Sequence, residues 1–126
     1  MKLLFLLLAV FYFSNAFQQN SGYARTMMEN HMHAFQNAVK SRNRDLLFKL
    51  FQLSDASDAK VTEVFNAYQG YKIKVKSARF IDAQHIRGNV FMLPGGGGGA
   101  VSEIEFGLNS NAQSPTGWKI MSAKRA

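Results

Sequence analysis

The sequence predicts an α+β domain, with helices first and an antiparallel meander after them. Two observations predict it. Between residues 23 and 68, apolar side chains recur at three- and four-residue spacing, as on one face of a helix. From residue 71 the period changes to two, the pattern of half-buried strands. Helices followed by strands, in that order, imply helices packed on one face of a sheet.

The first residues are read separately. Lys2 precedes an unbroken apolar run, Leu3 to Phe13, and Ser14-Asn15-Ala16 follows. A basic start, an apolar stretch and small residues before a cut form a secretory signal peptide, cleaved ahead of Phe17. The run is shorter than the about 20 residues of a membrane-spanning helix. The expectation is a signal peptide over 1–16, a polar tail over 17–22, and one domain over 23–126, secreted after cleavage near Ala16.

The first helix is expected from Tyr23 to Ser41. Its apolar face is Ala24, Met28, Met32, Phe35 and Val39. Thr26-x-x-Glu29 has the spacing of a capping box, which would start the helix later. Asn43 can cap a second helix carrying Leu46, Leu47, Leu50 and Phe51 on one side. Leu53 to Asp58 is a polar connection. Ser57 or Asp58 can cap a third helix with Val61, Val64, Phe65 and Tyr68 on one face, and Gly70 is placed to end it.

Tyr71, Ile73 and Val75 then alternate with Lys72, Lys74 and Lys76 in a first strand. The apolar parity shifts between Val75 and Ala78/Phe80. One extra residue near Ser77, a β-bulge, would put both Val75 and Phe80 inside. His85 to Leu93 reads as a second strand, and Pro94 with glycines 95–99 as a loose hairpin loop. Ser102, Ile104, Phe106 and Leu108 alternate with Glu103 and Glu105 in a third strand. After a loop from Asn109 to Gly117, Trp118 and Ile120 share a face of the last strand, which makes Trp118 an expected core anchor.

Composition sets further limits. The chain has 126 residues, no cysteine, six Met and eleven Phe. Disulfide scaffolds, thiol redox chemistry and cysteine-based zinc sites are excluded, so packing alone must stabilise the fold. No Asn-x-Ser/Thr sequon occurs. The formal charge of +7 can attract polyanions, but basic composition alone names no partner.

Two segments carry a family resemblance. Phe35 to Phe51 resembles the first helix, short polar turn and second helix of the NTF2-like (cystatin-like cone) superfamily, in particular the small secreted NTF2-like proteins of nematodes. Gly117-Trp118-Lys119-Ile120 is similar to the start of that superfamily's final strand. The resemblance implies a strongly curved sheet wrapping a long helix into a cone. It implies no single activity, because the superfamily includes isomerases, dehydratases, transport factors and many non-enzymes. Such domains often carry a short strand after the second helix, with a pocket acid near it in the enzymes. Here that strand looks shortened or absent. Asp55 and Asp58 match no motif, and no catalytic residue is assigned.

The candidate chemistry is sparse. His31 and His33 are two apart on a helix and point away from each other, so a metal site would need a distant ligand such as His85. A half-buried, hydrogen-bonded His31 is the simpler reading. Glu103 and Glu105 share the solvated face of their strand, where nothing raises a carboxyl pKa. Lys72, Lys74, Lys76 and Arg79 make a basic row that can oppose these glutamates across the sheet. The glycine run lacks the Lys-Ser/Thr and helix of a phosphate loop. The Met and Phe stripe fills a core or lines an apolar pocket.

The functional expectation is a secreted, non-enzymatic binding or interaction domain without a cofactor. The alternatives are a carrier of a small apolar ligand in the cone, and a pocket-carboxylate isomerase, dehydratase or hydrolase. Partners to consider are a small apolar ligand and a second copy meeting the sheet. Nucleic acid lacks a stacking platform beside the basic row. Expressed in a eukaryotic host, the protein is expected in the medium with Phe17 as its first residue. N-terminal sequencing checks this, and retention in the cytosol or a start at Met1 would overturn it.

Overall fold

The apolar stripe of the first half organises three helices. The structure, a computed structural model, describes residues 20–53, 57–96 and 99–126. The expected signal peptide lies outside these residues. Helix α1 spans Asn20–Ser41, α2 Arg44–Leu50 and α3 Asp58–Tyr68. Strands β1 Tyr71–Asp82, β2 His85–Pro94, β3 Ser102–Ser110 and β4 Trp118–Arg125 follow. They pair in the order β1-β2-β3-β4, each antiparallel to its neighbour. The architecture is therefore α+β, with the helices before the sheet. No helix among the described residues is long and apolar enough to cross a membrane.

Helix α1 starts earlier than its apolar face suggests. Residues 20–22, expected to belong to a tail, are helical. Thr26 is therefore inside the helix and caps nothing. Its hydroxyl donates back to the Gly22 carbonyl at 3.2 Å, and Glu29 pairs with Arg25 at 2.9 Å. The capping box is a coincidence of spacing, because side chains one turn apart meet wherever they sit on a helix.

The other caps form as the residues dictate. The Asn43 side chain accepts from the Leu46 N–H, and that of Ser57 accepts from the Lys60 N–H. Gly70, at φ +84°, takes the left-handed position just beyond α3. The end of α1 uses Arg42 at φ 51° instead of a glycine. Its side chain donates to Asn66 Oδ1 at 3.1 Å and to Gln69 Oε1 at 2.5 Å, which clamps α1 to α3. A glycine would relieve the backbone and lose that clamp.

The parity shift in β1 is a bulge. Val75 pairs with Val90 and Ser77 with Asn89, leaving Lys76 as the extra residue. Val75 and Ala78 are buried, and Phe80 packs partly buried against the core and against Trp118 at 6.0 Å. Arg25 on α1 donates to the carbonyls of Val75 and Lys76, at 3.0 and 3.1 Å, and so ties the helix to the bulge. A second extra residue, Ile81, precedes the turn into β2, and a third, Met121, separates Ile120 from Ser122 on β4.

The core lies between α1 and the inner sheet face. The α1 stripe of Ala24, Met28, Met32, Phe35 and Val39 is buried, facing Ile86, Val90, Phe106, Leu108, Trp118 and Ile120. Trp118 is a core residue, as its alternation with Ile120 predicts. Phe51, expected on α2, instead ends it in extended conformation and bridges to Ile120, and the Gln52 N–H donates to the Ile120 carbonyl at 2.8 Å. This parallel bridge lies after the second helix, where the sequence leads one to expect a strand that is shortened or absent. The sheet stays open and is not strongly curled, contrary to what the resemblance implies. Its edges β1 and β4 do not meet, and one bridge adds no further strand to bend it round.

Gly88 lies where the layers are in close contact. A Cβ there would meet Met28 Cε at 2.6 Å and the Ser77 carbonyl at 2.8 Å. The side chain can move but the strand backbone cannot. Gly88→Ala is expected to cost about 1–3 kcal/mol through overpacking. Gly96→Ala, with nothing within 4 Å, should change stability little. Urea denaturation of the two variants checks this, and equal midpoints would show that the helix and β1 shift apart easily.

Candidate functional site

Three places bring chemistry together: a cleft beside the core, a buried histidine and the outer face of the sheet. The cleft opens between the second half of α1, the end of α3 and the start of β1. Phe35, Val39, Tyr68 and Ile73 line its apolar part, with Gln36, Lys40 and Tyr71 toward solvent, and its volume is about 340 Å³. The helix stripe supplies Phe35 and Val39. Gly70 turns the chain so that Tyr71 and Ile73 form the opposite wall.

Tyr68 sits in an aromatic cluster. Its ring meets Phe35 edge-on at 5.0 Å and Phe106 at 6.2 Å, and Phe51 stacks on Phe35 at 5.6 Å. Burial pushes the Tyr68 phenol above its usual pKa, so it stays a neutral donor. Its hydroxyl has no hydrogen-bond partner among the described residues, yet no buried side-chain polar atom is unsatisfied. The hydroxyl therefore reaches the open cleft.

A second groove, of about 350 Å³, lies farther along α1 against β1. Arg25, Glu29, His33, Lys72 and Lys74 line it. Its one carboxylate, Glu29, is held by Arg25. Gln36 separates the two cavities and donates to the Tyr71 carbonyl at 3.3 Å.

His31 is fully buried, not half-buried as its place beside the apolar stripe suggests. Its Nε2 lies 3.0 Å from the Leu50 carbonyl, which can only accept, so Nε2 carries the proton. The Thr116 hydroxyl then donates to Nδ1 at 2.6 Å and accepts from the Trp118 N–H at 3.2 Å. Ser114, also buried, stands 3.2 Å from the same hydroxyl. The network joins α1, the end of α2 and the loop before β4. Desolvation lowers the His31 pKa from 6.5 to about 4, against the opposing pull of the Leu50 carbonyl. Both ring nitrogens are committed, so His31 is a structural hydrogen-bonding post.

His33 is exposed, and His85 pairs with Asp82 at 2.7 Å on the turn between β1 and β2. No group of three metal-ligating side chains occurs among the described residues.

The outer sheet face carries the basic row. Lys76 pairs with Glu103 at 2.9 Å and its ammonium lies 5.6 Å from the Phe91 ring centre. Asn89 also donates to Glu103, and Lys76 and Asn89 together hold that carboxyl below its usual pKa. Glu105 goes to Lys124 at 3.4 Å and Arg87 at 3.8 Å, not to the β1 row. Arg79 stands directly opposite Arg87. The glutamates are ion-pair partners and form no acid–base pair.

Sequence reasoning placed the histidines and the basic row but missed the cleft and Arg87. The cleft's walls come from three elements, so no local signal marks it. The chain matches no family model, no curated protein and no solved structure.

The His31 pKa makes a pH prediction. Between about 4 and 6.5 the unfolded chain binds the proton and the folded one does not. Stability is therefore complete above about pH 6.5 and falls with pH toward 4, by roughly 3 kcal/mol. Urea melts across that range check the slope. In NMR titration the His31 ring should stay neutral well below pH 6.5. A ring that titrates near 6.5 would overturn the assignment.

Proposed function

We propose that the protein is a non-enzymatic binding domain that holds a small amphipathic acid in the cleft between α1, α3 and β1. The observation that carries this reading is the cleft's chemistry: an apolar floor beside the neutral Tyr68 phenol, with the Tyr71 phenol, two glutamine amides and one ammonium, Lys40, around it. Phe35, Val39 and Ile73 suit a hydrocarbon or aromatic body. Tyr68 and Lys40 suit a carboxylate, as donor and counter-charge. The volume falls in the range of small-molecule sites, whose specificity comes from a few polar groups on an apolar wall.

Support for binding over catalysis comes from the lining. Among the described residues it contains no histidine or carboxylate to move a proton. The core beneath is filled, so the cleft is a side opening and not the interior of a cone. Kinship to the NTF2-like superfamily belongs to the same proposal. It draws support from the helices-then-meander order and the isolated parallel bridge at Phe51. Secretion belongs there too, supported by the order of Lys2, the apolar run and Ser14 to Ala16.

Titration calorimetry with decanoate tests the reading. Decanoate is expected to bind saturably and more tightly than decanol. Tyr68→Phe should weaken it about fivefold, the loss of one hydrogen bond. Lys40→Glu should abolish the preference for the acid over the alcohol. No saturable binding, or equal binding by all three proteins, would overturn the proposal.

A further inference from the structure

Register places the cations of the outer face. Lys72 and Lys74 lie across from Leu93 and Phe91, and Arg79 is directly opposite Arg87. Arg87 in turn lies beside Gly107 on β3, whose missing side chain leaves room for the Ser122 hydroxyl of β4. Like charges directly opposite on a sheet destabilise it. Among the described residues, of this group only Arg87 has an acid within 4 Å, Glu105 at 3.8 Å, and Lys124 shares that acid; Glu29, which borders the same α1 groove as Lys72 and Lys74, is held by Arg25. No carboxylate among the described residues pairs with Lys72, Lys74 or Arg79. The cations remain exposed, arranged along β1 and turning onto β2 at the arginine pair.

We infer that this face, centred on Arg79 and Arg87, docks a linear sulfated polysaccharide. Arg79 and Arg87 are directly opposed across β1 and β2, and planar guanidinium forks suit tetrahedral oxyanions. Lys72 and Lys74, two apart on a strand, stand about 7 Å from each other, so the cations continue as a row that a repeating polyanion can follow.

Three other occupants fit less well. Nucleic acid binding without base readout needs aromatic platforms. The Phe91 ring on this face already has the Lys76 ammonium 5.6 Å from its centre, and His85 is paired with Asp82. An anionic membrane favours an apolar patch among the cations, but the exposed Ile81, Val101 and Met121 sit on three different segments. A second copy meeting the face would set cation against cation.

Titration calorimetry with a heparin octasaccharide tests the inference. Wild type is expected to bind with affinity that falls steeply as salt rises. Arg79→Ala/Arg87→Ala should weaken binding about tenfold or more, with melting temperature unchanged or higher because a repulsive pair is gone. Lys49→Ala/Lys60→Ala removes the same charge from the helices and should change affinity less than about twofold. Equal losses in both variants would reduce the effect to net charge and overturn the inference. So would no binding at physiological salt, tighter binding to phosphatidylserine vesicles or single-stranded DNA, or dimerisation that the arginine substitutions abolish. None of Lys72, Lys74, Arg79 and Arg87 lines the decanoate cleft, so the two proposals fail independently.

Discussion

The extra residue at Lys76 decides which side chains β1 gives to the core. On a regular strand, the parity set by Val75 would carry Arg79 inward and Phe80 outward. With Lys76 inserted, Val75, Ala78 and Phe80 all face α1, and Arg79 faces solvent. A bulge interrupts the ladder and exposes backbone groups. Arg25 answers that by donating to the Val75 and Lys76 carbonyls, which also fixes α1 along the strand. The helix stripe can then meet the inner face at Gly88, where only a missing side chain lets the two layers approach so closely.

The same insertion arranges the polar surface. Lys76 leaves the row of its neighbours and reaches Glu103, which lowers that carboxyl's pKa. Beyond the bulge, Arg79 comes into line with Arg87. Ahead of it, Tyr71 and Ile73 keep the register that walls the cleft. One residue thus serves the core, the charged face and the cleft's third wall.

Much of this was legible in the sequence because it rests on local periodicity. The α1 stripe, the Asn43 and Ser57 caps, the parity shift after Val75 and the burial of Trp118 all follow from spacing within one element. What was not legible depends on distant contacts. Thr26 and Glu29 have capping-box spacing, and only the helical turn before them shows that they do not start the helix. His31 looks half-buried from its position on α1. The loop carrying Ser114 and Thr116 covers it, and that loop is far along the chain. Gly88 reads as an ordinary weak point in a strand until Met28 is laid against it. The cleft needs α1, α3 and β1 together, so no single segment announces it.

The placement of polar groups separates structure from binding. Inside, the His31–Thr116 network satisfies every partner, so it rigidifies the join of α1, α2 and β4 and has nothing left to offer a ligand. At the surface the reverse holds. The Tyr68 hydroxyl, the Lys40 ammonium and the Arg79 guanidinium have no partners within the described fold. Near an apolar wall or a like charge, such groups gain most from an added anion, because the fold itself supplies none. Under both proposals the two candidate sites share one chemistry, acid recognition. They differ in what surrounds it: an apolar floor suited to a small amphiphile, and an open charged face suited to a long, regularly charged chain.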